Sequence, residues 1–137
     1  MKGSTVLSEN ILTGMGIIIS FILVVLVVRL VLTQQSDRSY RNLFESIARD
    51  ITLIIDRQSS MSGSEKREYE LPKGAHADEV RIDYKYVFIT YGDGTVKKSF
   101  SGLINIPMNP FYDPRVLCFV KDENSIQVFN KPCDEVQ

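Results

Sequence analysis

One apolar run near the start of the chain, from Ile11 to Leu32, constrains its architecture more than any other feature. It reads ILTGMGIIISFILVVLVVRLVL and carries one charge, Arg29. At 1.5 Å rise per residue it would be about 33 Å long as a helix, enough to cross a hydrocarbon core of about 30 Å. In that core every backbone N–H and C=O must be satisfied within the segment, so the run predicts an α-helix. The run is longer than the apolar core of a secretory signal, and no small-x-small cleavage site follows it, so a retained anchor is expected. Arg29 lies within one turn of the end, where its stem can follow the lipid and its head reach the interface. Residues 1–10 form a short polar leader, and 11–33 is the expected transmembrane helix.

Beyond the span the helical period persists. Gln34 to Arg41 is polar but has neither Pro nor Gly. Leu43, Phe44, Ile47, Ala48, Ile51, Ile54 and Ile55 then recur at helical spacing, with Asn42, Glu45, Arg49, Asp50, Asp56 and Arg57 elsewhere on the wheel. Glu45 and Arg49 have the spacing of a stabilising i,i+4 pair. Residues 34–62 are therefore expected as an amphipathic continuation of the same helix. It should stop in the Ser-rich stretch ending at Gly63-Ser64.

From there the texture changes to short strands and turns. Seven Phe and six Tyr concentrate from Tyr69 onward, as expected for cross-strand aromatic pairs. Arg67 to Leu71 reads as a strand ended by Pro72. Glu79 to Tyr91 reads as one long strand, alternating at first and apolar on both faces from Tyr86 to Ile89. Gly92-Asp93-Gly94 is a turn signal, with Thr95 to Phe100 as the partner strand. Leu103 to Ile106 reads as a short strand, and Pro107, Pro110 and Pro114 mark a loop. Val116–Val120 and Ile126–Phe129 form a final hairpin, and Lys131 to Gln137 a polar tail. The expected fold class is α+β: one long N-terminal helix, transmembrane then amphipathic, followed by a small antiparallel β-sheet domain over 63–137.

Chemistry-bearing motifs are sparse. Gly92 to Ser99 resembles a phosphate-binding loop only superficially: Lys97 stands where the second Gly should be, and the stretch joins strands instead of opening a helix. His76, the single His, has Asp78 and Glu79 nearby but no nucleophile elbow. The spacing of Asp78, Asp83 and Asp93 does not match a calcium loop. Two cysteines, one histidine and no CxxC pair do not supply a zinc site. No catalytic set, metal or cofactor is expected. With a net charge of −1 and dispersed basic residues, nucleic acid is not an expected partner. Cys118 falls in a strand and Cys133 just after its hairpin partner. Either they bridge, which needs an oxidising compartment, or they remain two thiols; the bridge is the expectation.

The order of segments adds a resemblance. A leader with Lys2-Gly3, the acidic Glu9 just before the apolar run, a long half-amphipathic helix and a small β-domain together resemble archaeal type IV pilin-like proteins with class III signal peptides. Short stretches at Ile47–Ile51 and Tyr69–Gly74 resemble the same group. The resemblance implies processing after Gly3, which would put Glu9 at the sixth mature position, and an apolar helix half that anchors the subunit or packs in a filament. Positive-charge counting opposes the implied orientation: Arg29, Arg38 and Arg41 follow the span, whereas Lys2 and the amino terminus precede it. The cysteine pair and the pilin-like layout favour the domain outside the cell membrane. The expected function is a membrane-anchored, non-enzymatic assembly or surface-structure subunit. Its partners would be membrane lipid, other membrane or surface proteins, and further copies through the N-terminal helix. The alternative is an unprocessed single-span accessory subunit of a larger membrane complex. Phe111 and Tyr112, between turn formers, are the candidate interface residues.

Overall fold

The computed structural model describes residues 3–102 and 105–136, with side chains from Ile11 onward. The order is a helix α1 (Gly3–Ser60), strands β1 (Glu65–Glu70), β2 (Glu79–Asp83), β3 (Tyr86–Tyr91), β4 (Gly94–Ser99), β5 (Asn109–Tyr112), β6 (Val116–Asp122) and β7 (Ser125–Phe129), and a 3-10 turn at Cys133–Glu135. The α+β expectation holds, and helical backbone continues through Gln34–Arg41 without a break. Two compact units divide between Ser39 and Tyr40.

In the first unit, the apolar side chains of the Ile11–Leu32 run are exposed on every side, from 45% at Val25 to 71% at Leu12. This part of α1 is long and apolar enough to cross a membrane. At its polar border the Thr33 hydroxyl donates to the carbonyls of Arg29 and Leu30, both at 3.0 Å, satisfying itself within the helix.

In the second unit, Phe44, Ile47, Ala48, Ile51 and Ile55 of α1 are fully buried, with Leu43 and Ile54 half-buried beside them. That is the stripe expected from the periodicity. Thr52, also buried, donates its hydroxyl to the Arg49 carbonyl at 2.7 Å, so no orphaned donor results. On the exposed side, the ion pair is Arg41 Nε to Glu45 Oε1 at 3.2 Å, replacing the expected Glu45–Arg49 pair.

Two sheets share this stripe in one core, where a single sheet was expected. The first is antiparallel with order β1-β6-β7, the second antiparallel with order β4-β3-β2-β5. Leu117, Phe119 and Ile126 enter the core from the first sheet. Val80, Ile82, Val87, Ile89 and Val96 enter from the second. Phe44 stacks on Tyr91 with centroids 4.2 Å apart. Tyr69 of β1 donates its hydroxyl to Asp50 Oδ2 at 3.3 Å. Burial pushes the Tyr69 phenol well above its ordinary pKa, and the nearby Asp50 charge and hydrogen bond add to it.

Polar contacts seat the helix end. Gln58, fully buried, donates from Nε2 to the Phe119 carbonyl at 3.2 Å. The Lys121 ammonium, buried with its side chain, donates to the Met61 carbonyl just past the helix terminus, where a cation complements the helix dipole. Asp56 Oδ1 accepts the N–H groups of Ser101 at 2.8 Å and Gly102 at 2.9 Å. Gly102 packs so closely on α1 that a Cβ there would stand 2.5 Å from Ser59 Oγ.

Four further expectations need correction. Glu79–Tyr91 is a hairpin, not one strand: Asp83 pairs with Tyr86 across a Tyr84–Lys85 turn, and Asp83 Oδ1 accepts the Tyr84 N–H at 2.7 Å. Strict alternation therefore continues in β3, with Val87 and Ile89 buried and Tyr86 exposed. The proline-rich loop contains strand β5, which pairs with β2 at the sheet edge, where the missing N–H of Pro110 is tolerated. Of the segment expected as a strand at Leu103–Ile106, Leu103 and Ile104 lie outside the described residues, and Asn105 makes a lone parallel bridge to Ser125. The tail is not a free polar end. Cys118 and Cys133 are bridged, with Cα atoms 5.1 Å apart. Glu68 Oε2 accepts the Cys133 N–H at 2.7 Å, Lys66 Nζ donates to the Val136 carbonyl at 2.6 Å, and Val136 is buried.

Two outcomes follow from these contacts. Ile51→Asp should lower the stability of the β-containing unit by several kcal/mol, seen as a large drop in the denaturation midpoint of the detergent-solubilised chain, because a lone charge would be buried in the shared core. Replacing both cysteines by Ser should cost on the order of 3 kcal/mol, measured by chemical unfolding, from the loop of about 15 residues that the bridge closes.

Candidate functional site

Antiparallel pairing puts alternate residues of the second sheet on its outer face. Three cross-strand rows result. Asp83, Tyr86 and Ser99 form one, Pro110, Arg81, Phe88 and Lys97 the next, and Tyr112, Glu79, Thr90 and Thr95 the third. The middle row is a layered arrangement of cations and rings. The Arg81 guanidinium lies 4.8 Å from the Phe88 centroid. Lys97 Nζ lies 3.8 Å from the Tyr86 centroid and 5.3 Å from that of Phe88. Tyr86 and Phe88 meet in a tilted pair at 6.1 Å. Attraction of a cation to a ring quadrupole is worth about 0.5–1 kcal/mol at exposed sites, less than the roughly 1.5–2 kcal/mol of rotamer entropy lost on fixing a Lys or Arg side chain, so these contacts bias both side chains toward the sheet without fixing them.

Among the described residues Arg81 and Lys97 have no carboxylate partner; the ion pairs there are Arg41–Glu45 and Arg67–Glu65. Asp83, on the same face, is engaged by the Tyr84 N–H. The face thus carries two cations around one aromatic ring, Arg81 and Lys97, and two carboxylates, Glu79 and Asp83, beside Tyr112, which is 68% exposed.

The candidate interface pair is split by the pleat. Phe111 pairs with Val80 and packs against the core, while Tyr112 pairs with Glu79 and stands in solvent. Its carbonyl accepts from Asn130 Nδ2 at 3.4 Å, which ties β5 to the end of β7. Of the leader residues, Gly3 and Glu9 fall within α1, and Lys2 lies outside the described residues. Cys118 and Cys133 are bridged and serve the fold.

His76 is exposed on a cleft of about 280 Å³ lined also by Glu70, Leu71, Lys73, Asp113 and Arg115. Asp78 is not its partner. The Asp78 carboxylate accepts the Gly92 N–H at 2.6 Å, its N–H donates to Thr90, and its carbonyl accepts from Asp113. It pins the β3–β4 turn, where Gly92 has φ 47°, and Asp113 itself takes a left-handed φ of 43°. Among the described residues no group of three metal-ligating side chains converges.

Sequence reasoning missed the cation–aromatic face. Its one visible trace was alternation in register, Arg81 with Phe88 and Lys97, which appears only once the Tyr84–Lys85 turn is placed. No protein-family model, curated protein or solved structure matches the chain.

The split of Phe111 and Tyr112 predicts opposite phenotypes. Phe111→Ala should lower stability by roughly 1–3 kcal/mol through lost packing, whereas Tyr112→Ala should stay within about 0.5 kcal/mol. Equilibrium unfolding of the two variants in the full chain measures the contrast.

Proposed function

We propose that the protein is a membrane-anchored, non-enzymatic assembly subunit of pilin-like organisation, with its β-containing unit outside the cell membrane. The observation that carries this reading is the division of labour within α1. Its Ile11–Leu32 part exposes apolar side chains all round, and its Phe44–Ile55 part buries one stripe under two sheets. The exposed part requires lipid or neighbouring helices to cover it, and close packing of helices through Gly, Ser and β-branched surfaces is the usual means in a membrane. The Cys118–Cys133 bridge supports an oxidising, extracytoplasmic setting for the second unit. Contacts to other surface proteins would use Tyr112 on the exposed sheet face.

The pilin-like reading requires removal of the leader after Gly3. Mass spectrometry of the protein isolated from its native membrane should give an N-terminus at Ser4, and the protein should co-purify with further copies of itself. An intact leader on a chain that co-purifies in fixed ratio with a different membrane protein would instead make it an unprocessed accessory subunit.

A further inference from the structure

We propose that the outer face of the β4-β3-β2-β5 sheet binds the same face of a second copy of this chain, in a two-fold contact where Arg81 of each copy meets Glu79 of the other. The inference names the partner for the Tyr112 face. It rests on the reading above only for a common membrane; leader processing, which tests the rest of that reading, does not enter it. The charge pattern carries the inference. The three rows hold two cations and two carboxylates, so the face as a whole is neutral and does not repel a copy of itself. The signs are separated by row: Asp83 in the first, Arg81 and Lys97 in the second, Glu79 in the third. A two-fold axis running across the strands, between the second and third rows, lays each of those rows on the other row of the second copy and keeps each strand over its counterpart. Three contacts then arise, each of them twice. Arg81 meets Glu79, Lys97 meets the Thr95 hydroxyl, and the exposed Pro110 ring meets the exposed Tyr112 ring.

Other arrangements leave charges unmatched. An axis along the strands keeps each row on itself and gives Arg81 and Lys97 no carboxylate. An axis between the first and second rows offers them Asp83, which already accepts the Tyr84 N–H. The Glu79 carboxylate has neither an ion pair nor a hydrogen bond among the described residues, and the Arg81 and Lys97 charges have no carboxylate there. By strand spacing and rise the face measures about 19 by 17 Å, well below the roughly 800 Å² per partner of a standard interface. The contact is therefore weak between free molecules and depends on the anchors confining both copies to one membrane, which raises their effective concentration.

The test uses the full chain in liposomes of zwitterionic lipid, with photoreactive benzoylphenylalanine in place of Tyr112. Irradiation should give a covalent pair in which position 112 of one copy is joined to residues 109–111 of the other, as peptide mapping by mass spectrometry reads directly. Glu79→Arg and Arg81→Glu, each reconstituted alone, set like charges together at both symmetric contacts and should reduce the cross-linked pair by about tenfold or more. Mixed in equal amounts, the two variants present opposite charges at both contacts. The pair should then return, joining one copy of each variant. A variant that had merely lost its fold would not be rescued by mixing, and thermal unfolding of each alone checks the fold independently. Asp83→Asn, which keeps an acceptor for the Tyr84 N–H, and Lys73→Gln, in the cleft lined by His76, should cross-link as the unaltered chain does. No cross-link between copies, a cross-link from position 112 to another region of the chain, no recovery in the mixture, or a loss in Asp83→Asn equal to that in Glu79→Arg would overturn the proposal. Irradiation in the native membrane that joined position 112 only to a different protein would overturn it as well.

Discussion

One helical stripe holds the folded unit together. Phe44, Ile47, Ala48, Ile51 and Ile55 form a single apolar surface on which residues from both sheets converge. A three-stranded and a four-stranded sheet are each too small to bury an inner face alone. Covering both with the same stripe gives them one core. The polar contacts follow from that arrangement. Gln58, Asp56 and Asp50 reach from α1 to the Phe119 carbonyl, to the amides at Ser101–Gly102 and to the Tyr69 hydroxyl. Of these, the Gln58 bond satisfies a carbonyl that the packing has removed from water, and the others fasten the helix at the edge of the core.

The remaining chain is fastened by local devices. Two hairpins use the same one: Asp83 and Asp122 precede two-residue turns, and each carboxylate accepts the next backbone N–H. The C-terminal segment is too short to form a layer of its own. It is held instead by the Cys118–Cys133 bridge, by Glu68 and by Lys66. With the inner faces devoted to a core, the second sheet's outer face is left to solvent. Its cations lie against rings on adjacent strands and keep their charges in solvent.

Much of the architecture was legible locally. The apolar run, the helical stripe and the Gly92–Gly94 and Asp122–Ser125 turns all depend on residues close in sequence. The Tyr84–Lys85 turn was not legible, because it has neither Gly nor Pro and its only signal is the Asp83 carboxylate. Strand β5 was hidden by Pro110, a residue that reads as a breaker except at a sheet edge, and edge status is a property of the whole sheet. The cysteine bridge was anticipated from the hairpin, yet the contacts it imposes on Val136 were not, since they involve β1, about 70 residues away.

By itself the sequence determined a helix that must satisfy its own backbone in an apolar setting, a second helical part with one buried stripe, and β-structure after Gly63. Those outcomes follow from hydrophobic periodicity and backbone hydrogen bonding, both of which act over a few residues. Only the tertiary structure decided that the strands divide into two sheets, that Phe111 turns inward while Tyr112 turns outward, and that Arg81 and Lys97 meet around Phe88. Strand order and register join residues far apart in sequence, and a shift of one residue exchanges the two faces of a strand. The side chains that share a face are therefore set by pairing across the sheet, which no local pattern encodes.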